Sequence, residues 1–119
     1  MTTVLVADDD ADFRELVRIV LESLGSDVLE AADFSQAVDV ARAAEVPIAL
    51  VLLDYFMPGD RETAVEELRK LVGERRLILA TACDDPKRLA GTLKIRRTLP
   101  KPVDLAALEA AVRSLNGVH

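Results

Sequence analysis

Asp8, Asp9 and Asp10 stand in a row just after the apolar run Val4-Leu5-Val6, and another acid, Asp54, closes the run from Ile48 to Leu53. Thr81 follows "LILA", and Lys101 sits between two prolines after a fifth, more polar run. An acid at the end of an oily run is costly unless something meets its charge. Carboxylates brought within a few ångströms of each other repel, and at neutral pH they need raised pKa values or a cation. Oxygen ligands with positions left over for water suit Mg²⁺. That chemistry requires Asp8, Asp9 and Asp54 to converge, so the elements that carry them decide the matter.

Short apolar runs alternate with segments of helical period. Val4-Leu5-Val6 reads as a strand, and Phe13, Leu16, Val17, Val20, Leu21 and Leu24 then fall on one helical face that stops at Gly25. Asp27 to Ala31 reads as a second, less oily strand, followed by a helix from about Phe34 to Glu45 with Ala37, Val38, Ala41 and Ala44 inward and Pro47 as its end. The nearly all-apolar stretch Ile48 to Leu53 has the character of a central parallel strand covered on both faces. Ala64, Val65, Leu68, Leu71 and Val72 mark a third helix closed by Gly73. A strand at Leu77 to Ala80 precedes a fourth helix, with Asp85 as N-cap and Pro86 in the first turn. A fifth strand near Ile95 to Leu99 and a last helix with Leu105, Leu108, Val112 and Leu115 complete the pattern.

Five strand-helix units in 119 residues predict an α/β fold: a doubly wound five-stranded parallel sheet with right-handed crossovers, five helices on its two faces, one domain spanning residues 1–119. The flavodoxin-like strand order 2-1-3-4-5 places the two most polar strands at the edges. Asp27 and Glu30 in strand 2, and Arg96 and Arg97 in strand 5, are tolerable where a strand borders solvent, and the arginines could also serve a partner or a homodimer. Ligands of such sheets bind beyond the carboxyl ends of the strands, near the switch in strand order. All the polar strand-end residues then meet at one edge, with strands 1 and 3 adjacent.

Composition narrows the alternatives. Half of the residues are hydrophobic and only 3% aromatic, so the core is built from Leu, Val, Ile and Ala. A charged fraction of 30% without a long polar tract argues for a folded chain. The net charge of -6 leaves no basic footprint, so no direct nucleic-acid contact is expected. Cys83 is the single cysteine and His119 the single histidine, which excludes an internal disulfide and a Cys/His zinc cluster. A reducing cytoplasm is the expected setting. No apolar stretch approaches membrane-spanning length, so no membrane association is expected.

The segments "VLVADDDADFRELV", "LVLLDYFMP", "ILATA" and "LPKP", in this order and at these strand ends, resemble the response-regulator receiver domain of two-component signalling over essentially the whole chain. The resemblance implies a phosphorylation-dependent switch in which Asp54 accepts a phosphoryl group from a histidine kinase or phosphotransfer protein, or from a small donor such as acetyl phosphate. It also implies that Asp9, Asp54 and the carbonyl of Phe56 bind Mg²⁺ directly and Asp8 through water. Thr81 would hydrogen-bond a phosphoryl oxygen; Lys101 would pair first with Asp54 and then with the phosphoryl group. The family's cis Lys-Pro bond is expected at Lys101-Pro102. Such a domain catalyses only its own phosphorylation and dephosphorylation. Phosphoryl transfer needs an in-line nucleophile and stabilised equatorial charge, which one cation, one ammonium and one hydroxyl supply.

Bland readings accompany these. Asp10 is the expected N-cap of helix 1, and Cys83 is a small packing residue that also lies two positions after Thr81, where family members tune dephosphorylation. Two departures from the family pattern stand out. Thr98 occupies the position three residues before the lysine where a Phe or Tyr is common, and the segment from Thr81 to Lys101 is short and lacks the usual glycine turn, so helix 4 is expected to be short or irregular. They favour, as a second reading, an interaction module that no longer uses phosphorylation. A third, a Mg²⁺-dependent phosphohydrolase of the haloacid-dehalogenase type, would want an acid two residues after the nucleophile, where Phe56 stands. Phe56 itself is expected to overhang the site and lengthen the life of the phosphorylated state.

Overall fold

The computed structural model describes residues 2–82 and 85–115. Its elements alternate: β1 (Thr3–Ala7), α1 (Ala11–Ser23), β2 (Asp27–Ala31), α2 (Phe34–Ala43), β3 (Leu50–Asp54), α3 (Arg61–Val72), a 3-10 turn (Glu74–Arg76), β4 (Leu77–Thr81), α4 (Pro86–Thr92), β5 (Arg97–Pro100) and α5 (Leu105–Leu115). All four pairings in the five-stranded sheet are parallel, and the order is β2-β1-β3-β4-β5. The polar strands β2 and β5 are the edges, as expected, because their charged side chains need water on one side.

The two-residue side-chain period of the strands divides the core into two layers. Leu5, Ala7, Val51, Leu53, Leu77 and Leu79 face one way, against Phe34, Ala37, Ala64, Val65, Leu68 and Ala90 of α2, α3 and α4. Val4, Val6, Leu50, Leu52, Ile78 and Ala80 face the other way, against Val17, Leu21, Leu108, Ala111 and Val112 of α1 and α5. Phe34 and Leu68 are fully buried, and each such side chain contributes roughly 1.5–3 kcal/mol of transfer free energy. Strands β1, β3 and β4 are buried along their whole length, which is why their sequences run apolar without alternation.

Several boundaries and faces differ from the sequence pattern. Leu16 and Leu24 are 51% and 41% exposed, so α1 buries a narrower face than the spacing suggests, centred on Val17 and Leu21. Leu71 and Leu105 are 40% exposed, each at an end of its helix where the core has tapered away. Strand β5 begins at Arg97 rather than Ile95, because Ile95 closes the end of the preceding helix. That helix, α4, has only seven residues, in keeping with the shortened segment. Asp85 caps it by accepting from the amide of Arg88 at 3.1 Å.

Both α1 and α4 end in the same hydrogen-bonded turn, in which a residue in the left-handed region follows the C-cap. In α1 that residue is Gly25 at φ +89°, and the amides of Gly25 and Ser26 return to the carbonyls of Glu22 and Leu21. In α4 it is Lys94 at φ +58°, with the amides of Lys94 and Ile95 returning to Gly91 and Ala90. Ile95 and Ala90 are both buried, which supplies the apolar contact that accompanies such a turn. The turn before strand 5, which the sequence reads as lacking because its glycine is missing, is thus present in geometry with a lysine in the glycine's place.

Candidate functional site

Strand register brings the polar residues together. Ala7 of β1 pairs with Leu53 of β3, so Asp8, the next residue, lies level with Asp54. Asp54 in turn pairs with Ala80, and Thr81 pairs with Pro100, so Thr81 and Lys101 rise one step further along the same edge. Carboxylate oxygens of Asp8, Asp9 and Asp54 all lie within 4.8 Å of one another. Asp8 and Asp54 are buried, at 1% and 6% exposure, while Asp9 faces solvent. Thr81 is fully buried at the end of β4, and its carbonyl accepts from the Lys101 amide at 3.1 Å.

Asp8 is the most tightly held of the three acids. Its Oδ1 accepts from the amide of Asp10 at 2.9 Å, and its Oδ2 accepts from Lys101 Nζ at 2.5 Å. The same Nζ lies 3.7 Å from Asp54 Oδ1 and 4.5 Å from the centre of the Phe13 ring. Lys101 therefore reaches both buried acids, with its hydrogen bond directed to Asp8 and an ion pair to Asp54. Phe13, one of the apolar residues on the face of α1, adds a cation–π contact that its spacing did not disclose. The Lys101-Pro102 peptide bond is cis.

Burial pushes the Asp54 carboxyl above its ordinary value, and the neighbouring charge of Asp8 pushes it further, with Asp9 adding a smaller push. Lys101 and the Phe56 amide, 3.4 Å from Asp54 Oδ1, pull the other way without cancelling the rise. Three carboxylates share one ammonium. An all-oxygen donor set with unbalanced negative charge fits a hard divalent cation and is unsuited to a soft one.

The loop after Asp54 is fixed from outside the site. Arg61 donates from Nε to the Tyr55 carbonyl at 2.9 Å, and its guanidinium carbon lies 3.7 Å from the centre of the Tyr55 ring. Pro58 accepts from the Phe34 amide at 3.1 Å. Gly59, at φ +111°, passes so close to α2 that a Cβ there would meet the Phe34 Cβ at 3.2 Å. Asp60 caps α3, and hydrogen bonds from the Thr63 side chain and amide hold its carboxyl below the usual range. The Phe56 backbone is thus anchored on both sides, while its side chain is 57% exposed and packs edge-on against Tyr55.

Thr98 lies half-buried on β5. It lines an open groove of about 370 Å³ with Ile78, Leu99, Ala107, Ala110, Ala111 and Ser114, which are small or aliphatic, and with the charged Arg97. Cys83 falls outside the described residues. Beyond the expected set, the structure adds Phe13, Arg14 and Arg61 around the acids. Arg14 and Arg61 had a legible signal in one respect only: each is a lone cation at the start of a helix that follows an acid-bearing strand end.

No helix among the described residues is long and apolar enough to cross a membrane. The closely superposable solved structures include a response-regulator receiver domain protein from Clostridium thermocellum, with a TM-score of 0.84 and 23% identity, covering 98% of this chain and 95% of that one. The Francisella response regulator 1452 receiver domain gives a TM-score of 0.82 at 26% identity, with 98% of both chains covered. Among curated proteins, a probable transcriptional regulator ycf27 of Porphyridium aerugineum is 34% identical over 114 residues, covering 94% of this chain and 47% of the relative. The transcriptional regulatory protein CpxR of Escherichia coli is 31% identical over 119 residues, covering 97% of this chain and 49% of that protein. The chain thus spans about half the length of these curated relatives. The model of the response regulator receiver domain matches residues 4–113, and with the parallel sheet and acid-lined strand ends in place, the chain belongs to that family.

Proposed function

We propose that Asp54 is the phosphoacceptor of a two-component signalling switch, fed by a histidine kinase or phosphotransfer protein and able to use a small donor such as acetyl phosphate. The observation that carries this reading is the meeting of Asp8, Asp9 and Asp54 at one sheet edge with the Lys101 ammonium between the two buried acids. A carboxylate oxygen of Asp54 attacks phosphorus, the bond from phosphorus to the donor's nitrogen or oxygen breaks, and the leaving imidazole or acetate carries away the electron pair. The product is an acyl phosphate, which water can later cleave to restore the carboxylate. That reversibility suits a timed signal.

Asp8, Asp9, Asp54 and the Phe56 carbonyl would hold Mg²⁺, which when bound supplies positive charge to the transferring phosphoryl oxygens. Lys101 contributes a second cation and Thr81 a hydroxyl donor at the end of the neighbouring strand. In the resting chain Lys101 is engaged with Asp8, so the arriving phosphoryl group would draw it away from that bond. The unit assigned is the receiver, residues 1–119; output partners belong to the proposal only as binders of this domain's altered surface. A cytoplasmic setting follows from the need to meet a kinase and Mg²⁺.

The small residues around Thr98 sustain the second reading, an interaction module that no longer uses phosphorylation. Incubating the chain with Mg²⁺ and acetyl phosphate and measuring intact mass separates the two. Gain of one phosphoryl group, abolished by Asp54→Asn, is the expected result. An unchanged mass over hours leaves the interaction module, and steady turnover of a generic phosphate ester would favour the phosphohydrolase.

A further inference from the structure

Glu30 is an acid inside an edge strand that the site just described does not use. Its carboxylate faces α1, where Oε1 pairs with Arg14 Nε at 3.2 Å and Oε2 with Arg18 Nε at 3.3 Å. Arg18 also reaches Glu22 at 3.8 Å. Exposed ion pairs of this kind contribute little by themselves. Arg14, however, is only 18% exposed, and its other branch does something more specific: Nη1 donates to the backbone carbonyl of Asp8 at 2.6 Å.

That carbonyl belongs to the peptide linking the two acids Asp8 and Asp9. On the other side, the Asp8 amide donates to the Ala31 carbonyl at 2.9 Å, and the Asp8 side chain accepts from the Asp10 amide. With the Asp8 carbonyl held by Arg14, the plane of the Asp8-Asp9 peptide is fixed, and the direction in which Asp9 leaves the chain is fixed with it. Asp9 is the solvent-facing member of the acid cluster, so burial does not hold its carboxylate and the backbone beneath it sets its direction. Groups behind a metal's ligands orient them in just this way.

We infer that Arg14, clamped by Glu30, is a positioning residue that sets the Asp8-Asp9 peptide so that both carboxylates face Asp54. This rests on the phosphoacceptor reading for its consequence, though not for its geometry. A guanidinium is needed because one planar fork can bond a carbonyl and a carboxylate at once, whereas a lysine ammonium on a flexible stem supplies a point charge.

Two readouts on the full chain test it. In the metal-free protein, amide hydrogen exchange at Asp10 should speed up in Arg14→Lys and Arg14→Gln, while exchange at Val51 and Leu52 in the central strand stays unchanged. Titration with Mg²⁺ alone should show affinity weakened by about 10-fold in both arginine variants, and by about 3-fold in Glu30→Gln, which keeps an acceptor for Arg14 but loses the charge that strengthens the bond. Glu30→Gln also serves should an arginine variant fail to fold, since it leaves α1 and Asp8 intact. Wild-type exchange at Asp10 in Arg14→Lys, or full Mg²⁺ affinity in that variant, overturns the inference, because charge alone would then suffice. Faster Asp10 exchange in a protein whose wild type takes up no phosphoryl group still supports the positioning and sinks the phosphoacceptor assignment instead.

Discussion

Lys101 is hydrogen-bonded to Asp8 rather than to Asp54: its Nζ lies 2.5 Å from Asp8 Oδ2 and 3.7 Å from Asp54 Oδ1. Asp8 is the more deeply buried acid, at 1% exposure, and a buried carboxylate without a cation is the costlier of the two to leave unmatched. The resting lysine therefore matches the charge of Asp8 while remaining in reach of Asp54.

Replacing the ammonium tests that arrangement. Lys101→Met should destabilise the metal-free chain by about 1–3 kcal/mol, the cost of an unsatisfied buried polar group, measured by urea unfolding. Mg²⁺ should recover part of the loss, and calorimetry should find tighter Mg²⁺ binding than in the wild type, because no ammonium competes for the acids. Weaker binding would contradict the competition. Phosphorylation by acetyl phosphate should slow in the same variant.

The convergence of Asp8, Asp9, Asp54, Thr81 and Lys101 is legible in sequence because a parallel sheet of alternating units leaves every strand's carboxyl end on one edge, and each of these residues stands at or just past such an end. Glu30 and Lys94 are not legible in that way. The pairing of Glu30 with α1 depends on the crossing of a helix over an edge strand, which no local spacing encodes. Lys94 occupies a left-handed turn that glycine usually marks, so the turn is hidden by the residue that fills it. Leu16 misleads for a related reason: helical spacing reveals a stripe, but the width of the covering sheet decides how much of it is buried.

The electrostatics of Asp54 set a direction for stability against pH. Its carboxyl sits above the ordinary value of 3.8, first through burial and then through Asp8. The folded chain therefore binds this proton more readily than the unfolded chain, and the contribution of Asp54 to stability falls as pH rises from below 3.8 through the raised folded value. Asp54→Asn removes the ionised form, so it should be more resistant to heat than the wild type at neutral pH without Mg²⁺. The advantage should vanish in acid, where Asp54 is neutral in both states. Thermal melts across the acid range check both ends, and a variant less stable at neutral pH would count against the buried charge.

Lys94 offers a stabilising substitution. At φ +58° its Cβ is disfavoured, and the turn bonds from Lys94 and Ile95 to Gly91 and Ala90 need only backbone. The carbonyls of Leu93 and Lys94 accept from Arg69 Nη2 at 2.5 and 3.4 Å, again without involving the lysine side chain. Lys94→Gly should therefore raise the stability of the chain by about 1 kcal/mol, the cost of a side chain in the left-handed region. Chemical denaturation measures it, and phosphorylation by acetyl phosphate should be unchanged.

Phe56 tests how the phosphorylated state would be protected. Its amide donates to Asp54 Oδ1 at 3.4 Å, its side chain is 57% exposed, and its ring rests edge-on against Tyr55. Tyr55 is in turn gripped by Arg61 through its carbonyl and its ring, so Phe56 has a fixed support on one side and open solvent on the other. An apolar ring held there would hinder the water that must approach phosphorus in line with the bond to Asp54. Phe56→Asn keeps the backbone bond and replaces the ring with a small polar group that can hold water. Loss of phosphate, followed by intact mass after removal of the donor, should then be several-fold faster than in the wild type. Equal decay rates would show that water reaches the acyl phosphate by a path the ring does not cover.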